Sequence, residues 1–441
     1  MTDIATNEAA AEKDKFLASL EIGGSLDSLK QAADDYEKGN RKKVWPSGFP
    51  NLDYLLDGGF YESQLTVVGA VSSLGKTTWV MQIASQLAEQ GHDVLIFSLE
   101  MSKDELNAKT VSRYAYIVDK ENVANGEEPT KSDTSKNRRL TTFDILKGHV
   151  DHNDPVVYQN YQKALERTRA LAPHTYIYIG NNTENVDKIR EITEKFIATT
   201  GKRPLVILDY LQILTPSNNS LKNHFDTRRS TSDDITSLKI LARENKIPVV
   251  VISAFNRASY TDPVSFASFK ESGGIEYSSD ILLGLQFCGM EFQNSGYKDE
   301  RGNHVDGIES STSHTVRVNK LIDAMQKEGS DGRQQPIQLK VLKNRNGPKG
   351  YCYFLFTPKY NYFEYSLETP CVELSIQRHT SSLIQFSIRT ALIARQVCRQ
   401  HPLGHRPFDA VNHQRMILPL HQHPNDLIII LQQHRQPAPN L

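Results

Sequence analysis

The sequence predicts an α/β fold, a mostly parallel sheet flanked by helices. Three observations carry that expectation. Between Pro46 and about Tyr365, short apolar β-type runs alternate with helical stretches. Most of these runs are continuously apolar rather than alternating, as in strands buried on both faces beneath crossover helices. One run leads directly through a glycine-bearing loop into an amphipathic helix, so that backbone N–H groups converge on one point.

Residues 1–45 are polar, helical in patches, and end in the basic stretch EKGNRKKVWP, which reads as a linker. The expected strands are LTVVG (65–69), DVLIFSL (93–99), TYIYIG (175–180), PLVILDYL (204–211), PVVVISAF (248–255), DILLGLQF (280–287) and IQLKVLKN (337–344). The helix after the first strand, TTWVMQIASQLAEQ, places Val80, Ile83, Ala84 and Leu87 at helical spacing, with Gly91 as its stop. A second helix is expected over MSKDELNAKTVSRYAY. Two polar stretches, roughly 119–155 and 288–333, interrupt the pattern and read as exposed insertions in a domain spanning 46–365.

Residues 366–441 differ in composition. They hold no lysine and seven of the 14 histidines, and are dense in Gln, Pro and Arg. This tail reads as out-of-frame, foreign or disordered sequence. His401, His405, His421 and His423 invite a zinc reading, but Pro402 breaks the helix that would align the first pair and no cysteine pair supports it.

Lys and Arg total 51 against 52 Asp and Glu, a net charge of -1, so no global basic field draws the chain to nucleic acid. Cys288, Cys352, Cys371 and Cys398 form no C-x-x-C pair, which argues against a zinc ribbon or disulfide framework. The polar N-terminus has no signal-peptide core and no apolar run is long enough to span a bilayer. A cytoplasmic protein without a membrane contact is expected.

AVSSLGKTT, Ala70 to Thr78, reads as a phosphate-binding loop with alanine at its first position. Ser72, Ser73, Leu74, Gly75, Lys76, Thr77 and Thr78 are expected to cradle a nucleotide. Lys76 would reach the β- and γ-phosphates, and the Thr77 hydroxyl would bind Mg²⁺. Ala70 costs little if its φ is negative. Hydrolysis needs a second acid and a base that orients water. Asp209 ends an apolar strand and could hold Mg²⁺ through water. Glu100 follows another strand end and could polarise the attacking water. It could instead serve as an N-terminal charge on the following helix.

From Pro46 to Phe356, about 70% of the chain, the sequence resembles the RecA-fold motor domain of DnaB-type replicative helicases. The resemblance rests on SGFPNLDYLLDGG, AVSSLGKTT, FSLEMSKDEL, VILDYLQIL, LKILARENKIPVVVIS, KESGGIEYSSDILLG and LKNRNGPKG, in that order. It implies a RecA-like P-loop NTPase that uses ATP and Mg²⁺. Lys76 and Thr77 would bind phosphate and Mg²⁺, Glu100 would be the catalytic base, and Asp209 the second metal-side carboxylate. Lys343 and Arg345 match the pair that reaches a neighbouring subunit's γ-phosphate. Lys270, Glu271, Ser272, Gly273 and Gly274 match a loop that holds single-stranded DNA in a ring channel. The resemblance also implies a homo-hexamer and contacts with primase or replisome proteins.

Three features depart from that pattern. Ala254 stands where the family usually carries a glutamine that senses the γ-phosphate, so coupling of hydrolysis to DNA is expected to be weaker or rerouted through Asn256 and Arg257. About 45 residues precede the motor, so the N-terminal helical collar of the replicative enzymes is expected to be absent. The insertions, SSLGKTT and SAFNR look like variants from phages and mobile elements. The expected function is ATP-driven helicase action in DNA replication. The alternative is a RecA-fold, DNA-dependent ATPase that does not unwind, such as a loader, a recombinase-like filament or a regulatory switch.

Overall fold

The computed structural model describes residues 23–38, 43–126, 139–181, 183–215, 227–270, 272–288, 290 and 311–366. All fall within the unit Met1–Ser375. The tail expected at 366–441, beyond its first residue, lies outside the described residues, as do its histidines.

The strands are β1 (Val44–Trp45), β2 (Phe60–Tyr61), β3 (Leu65–Ala70), β4 (Val94–Ser98), β5 (Thr175–Ile179), β6 (Leu205–Asp209), β7 (Val249–Ala254), β8 (Ile281–Phe287), β9 (Gln335–Asn344), β10 (Tyr351–Thr357) and β11 (Tyr362–Ser366). The helices are α1 (Gly23–Glu37), α2 (Pro50–Leu55), α3 (Lys76–Glu89), α4 (Lys103–Ala124), α5 (Thr142–Leu146), α6 (Pro155–Ala170), α7 (Val186–Thr200), α8 (Thr227–Asn245), α9 (Ser272–Ser278) and α10 (Ser311–Ser330).

A nine-stranded sheet runs β11-β10-β9-β8-β3-β7-β6-β4-β5. From β8 to β5 every pairing is parallel. Strands β3, β4, β6 and β8 are buried along their whole length, as continuous apolar runs require when helices cover both faces. All seven expected segments form strands. IQLKVLKN is the exception to parallel pairing, since β9 runs antiparallel to both β8 and β10. Only six residues separate β9 from β10, too few for the crossover that a parallel pair needs.

Strands β10 and β11 were not expected. They fasten the edge of the sheet to the helix behind the phosphate loop. The Gln82 amide donates to Phe363 O at 2.7 Å, and Phe363 N–H donates back to Gln82 at 2.8 Å. Trp79, fully buried, stacks on Phe49 at 6.1 Å and meets Phe354 edge-on at 6.3 Å. These contacts fix the axis of α3 and with it the loop at its N-terminus.

The two stretches read as exposed insertions are in part structural. In the first, α4 continues to Ala124, and buried Asp119 pairs with Arg139 at 2.6 Å. Thr141 and Asp144 close a capping box on α5, and Asp154 caps α6. In the second, α10 buries Val318 and Met325. Short capped helices use polar residues, so their composition mimics that of loops. Residues 127–138 and 291–310 lie outside the described residues. Cys352 is a buried free thiol and Cys288 is buried.

Candidate functional site

Strands β3, β4, β6 and β7 all end at one edge of the sheet, where ligands of open α/β folds bind. The loop 71–75 leaves β3 there. Ala70 lies within β3, opposite Ala254, and is not among the positive-φ residues, so alanine is accommodated at the loop's first position. Gly75 has φ 86°, a left-handed conformation that excludes most side chains. A Cβ there would also lie 2.7 Å from the Phe356 ring. The glycine is therefore required twice, by the backbone and by the aromatic floor beneath it. Ser73 is also left-handed, at φ 64°. Ser72 and Ser73 are exposed, while Leu74 and Thr78 are buried, so those two can offer only backbone groups.

Lys76 Nζ folds back onto the loop, donating to Ala70 O at 3.0 Å and Val71 O at 3.2 Å. Burial pushes its pKa down, while Asp209 and Glu100 pull it up. Asp209 is 4% exposed. Burial pushes its carboxyl up to about 6, against a hydrogen bond from Thr77, with Glu100 adding to the rise. Thr77, Lys76, Asp209 and Glu100 are thus one electrostatic unit. Leu99 N–H donates to Asp209 O at 2.9 Å, which sets the turn carrying Glu100 beside the end of β6. Glu100 is exposed. The cap of α4 belongs to Ser102 and Glu105, which close a capping box. Glu100 precedes that box and takes no part in it.

Two neighbours went unnoticed in the sequence. Lys109 on α4 is drawn electrostatically to Asp209, although burial lowers its pKa. Its Nζ donates to Asn361 Oδ1 at 3.1 Å, and Asn361 donates to Thr142 at 2.8 Å. A lysine inside an amphipathic helix carries no signal of what it faces. Gln212, a polar residue in the run VILDYLQIL, was a legible signal that was passed over. Its amide donates to Ser253 Oγ at 2.9 Å and accepts from Ala254 N–H at 3.0 Å. An amide therefore stands at the end of β7, supplied from the β6 side. Asn256 and Arg257 are exposed beyond it.

Lys343 and Arg345 are elsewhere. Lys343 Nζ donates to Glu276 O and Ser279 O, each at 2.6 Å, so it caps the C-terminal end of α9. Arg345 lies 3.3 Å from Asp280 Oδ1 and its side chain is 54% exposed. Asp280 also pairs with Lys239 and accepts from Leu65 N–H at 2.8 Å. Leu65 begins β3, whereas the phosphate loop follows its other end. Six strand residues separate the two by about 17 Å, more than an arginine side chain can bridge.

The segment Lys270 to Gly274 connects these two ends. Lys270 N–H donates to Ala254 O at 3.3 Å beside the loop edge. Ser272, Gly273 and Gly274 begin α9 rather than forming an open loop. Gly274 packs against Ser232 of α8, and a Cβ there would lie 2.3 Å from Ser232 Oγ. Its small size serves close helix packing. Gly273 faces open space. Glu271 lies outside the described residues.

Among the described residues no cluster of three or more His, Cys, Asp or Glu could hold a metal by itself. Thr77 and Asp209 fit the other pattern, in which one or two protein oxygens share Mg²⁺ with phosphates and water. No described helix is long and apolar enough to cross a membrane.

The family model of the DnaB-like helicase C terminal domain matches residues 45–365. A replicative DNA helicase DnaB of Helicobacter pylori is 25% identical over 325 residues, covering 72% of this chain and 59% of that protein. A replicative DNA helicase DnaB of Geobacillus stearothermophilus is 27% identical over 323 residues, covering 72% and 56%. A replicative DNA helicase DnaC of Bacillus subtilis is 26% identical over 346 residues, covering 76% and 61%. The chain thus spans about three fifths of the length of these relatives. Among solved structures, one described as an ATPase domain superposes with TM-score 0.55 at 19% identity, covering 79% of this chain and 99% of that one. A DnaB-like replicative helicase described with its primase interactions superposes with TM-score 0.53 at 19% identity, covering 76% and 65%. These likenesses establish the RecA-like ATPase fold.

Proposed function

The chain belongs to the family of DnaB-like helicase C terminal domains, and from that premise we propose that it is an ATP-driven translocase on single-stranded DNA. It unwinds duplex during replication, and hydrolysis occurs at the seams of a homo-hexameric ring. One observation carries the reading. The loop with its acids and the exposed Arg345 lie at opposite ends of β3, which supports a site shared between two copies of the chain. A second copy docked end to end would bring Arg345 to the first copy's triphosphate, where an arginine supplied in trans speeds hydrolysis by ~10³ or more.

ATP and Mg²⁺ fit the residues present. The left-handed Gly75 opens the loop, and Lys76 holds two carbonyls that it can exchange for phosphate oxygens. Thr77 and Asp209 would hold Mg²⁺, which when bound offsets charge on the phosphates. Glu100 orients and deprotonates water, its neighbour Asp209 being the buried partner. Lys270, Ser272 and Gly273 offer a cation and backbone donors to a DNA phosphate, with Glu271 and Gly274 flanking them. The basic contacts are local, in keeping with a net charge of -1. Primase or other replisome proteins are the expected partners and the cytoplasm the expected compartment.

The test is ATPase activity with and without single-stranded DNA across a salt series. A translocase shows stimulation that falls steeply with salt. Lys76→Ala and Arg345→Ala are each expected to abolish turnover, Arg345→Ala while still binding nucleotide. Co-assembly of these two inactive variants restores activity, because some seams pair an intact loop with an intact arginine. Failure of co-assembly to restore turnover would sink the shared-site model. DNA-stimulated turnover without strand separation selects the alternative, an ATPase that does not unwind.

A further inference from the structure

The geometry points to Tyr260 as a positioning residue that reports occupancy of the phosphate loop to the segment leading into α9. The inference rests on the nucleotide site proposed above. Tyr260 OH and Ser72 Oγ lie 2.9 Å apart, a hydrogen bond between positions 188 residues apart in the chain. It joins the phosphate loop to the turn that follows β7. The two segments leave the sheet side by side, since Ala70 and Ala254 are paired at the ends of β3 and β7.

The contact sits where a change in the loop must be felt. Lys76 Nζ holds Val71 O at 3.2 Å, and Ser72 is the next residue. A triphosphate draws Lys76 away from that carbonyl, which frees the Val71–Ser72 stretch to turn its N–H groups toward the phosphates. Ser72 cannot follow and keep its bond to Tyr260. At the end of β7 itself no side chain is available for the same contact. Ala254 ends in a methyl group, and the Gln212 amide is held by Ser253 and by Ala254 N–H.

Beyond Tyr260 the segment is stiff enough to transmit a shift. Val264 N–H donates to Gln286 at 2.7 Å, and Val264 O accepts from Lys340 at 3.1 Å. Phe255 and Phe269 meet edge to face at 5.0 Å over Gly69, where a Cβ would lie 2.2 Å and 2.4 Å from the two rings. The next residue is Lys270, bonded back to Ala254 O. The hydroxyl of Tyr260 thus links the loop to the start of the segment proposed to hold DNA.

Tyr260→Phe in the full chain deletes the hydroxyl and keeps the packed ring. The experiment follows amide hydrogen exchange over 255–270, with and without Mg²⁺ and a non-hydrolysable ATP analogue, and measures analogue binding in parallel. In the unmodified protein the analogue speeds exchange at 255–260 roughly fivefold, the scale of one net hydrogen bond. Nucleotide-free Tyr260→Phe already exchanges at that faster rate and does not respond further. Ser72→Ala does the same, and the double variant is no faster, because the two act through one bond. Stimulation of kcat by single-stranded DNA falls about fivefold in Tyr260→Phe with little change in KM for ATP. A purely structural tie would lower the melting temperature without removing the response to nucleotide. Analogue binding with no change at 255–260 in the unmodified protein overturns the inference and leaves the proposed function standing. A Tyr260→Phe or Ser72→Ala variant that still responds also overturns it. Failure to bind the analogue overturns both.

Discussion

Replacing Asp209 by asparagine is expected to stabilise the nucleotide-free protein at neutral pH while abolishing hydrolysis. The carboxyl is 4% exposed, and burial raises its pKa from 3.8 to about 6 against the pull of Thr77, with Lys76 and Lys109 also lowering it. The sign follows from where the proton sits. Between those two values the folded protein keeps a proton that the unfolded chain releases, so stability falls as pH rises from 3.8 toward about 6 and is level above. A shift of roughly 2 units corresponds to about 3 kcal/mol of penalty at neutral pH. Asparagine has the same shape, accepts from the Thr77 hydroxyl and carries no charge, so it removes that penalty. Thermal unfolding without nucleotide should show the variant melting roughly 5 °C higher at about pH 7.5, with the gap closing as pH falls toward about 4. Adding Mg²⁺ with a non-hydrolysable analogue should reverse the order, because a ligand that needs the carboxylate stabilises only the original protein. A gap that does not change with pH, or a variant less stable than the original at neutral pH, would refute the reasoning.

Gly75→Ala is expected to lose nucleotide binding and to destabilise by about 2 kcal/mol or more, since it strains a left-handed residue and drives a methyl into Phe356. Calorimetry and unfolding check the two effects separately. Gln82→Leu removes both bonds to the Phe363 backbone and should cost about 2–4 kcal/mol by leaving a buried N–H and C=O unsatisfied. Urea unfolding reads that cost, and faster exchange at 351–366 localises it. Lys343→Met uncaps α9, and exchange over 272–278 should rise several-fold while that of β3 stays slow. An unchanged α9 would mean that these carbonyl contacts do not order the helix.

The buried strands and the phosphate loop were legible because each is written in consecutive residues. LTVVGA can satisfy its apolar side chains only between two layers, and Gly75 is demanded by one backbone angle. Asp209 and Glu100 were legible because strand ends in such a sheet converge on one edge. Much of what escaped was set by pairing across long separations, but β10, YCYFLFT, is itself a continuous apolar run that was passed over, whereas β11, YFEYS, is short and interrupted by Glu364. The antiparallel turn of β9 followed from the short link after Asn344. KESGG was read as a loop because glycines are locally ambiguous, and only the closeness of Ser232 explains the packing of Gly274.

The sequence by itself determined the α/β layering, the loop and the two acids, because hydrophobic period and glycine geometry act over a few residues. The tertiary structure alone decided that Arg345 and Lys76 stand at opposite ends of one strand, that Lys343 caps α9, and that Tyr260 touches Ser72. Those relations depend on which strands become neighbours, a choice made by packing over the whole sheet and written in no single segment of the chain.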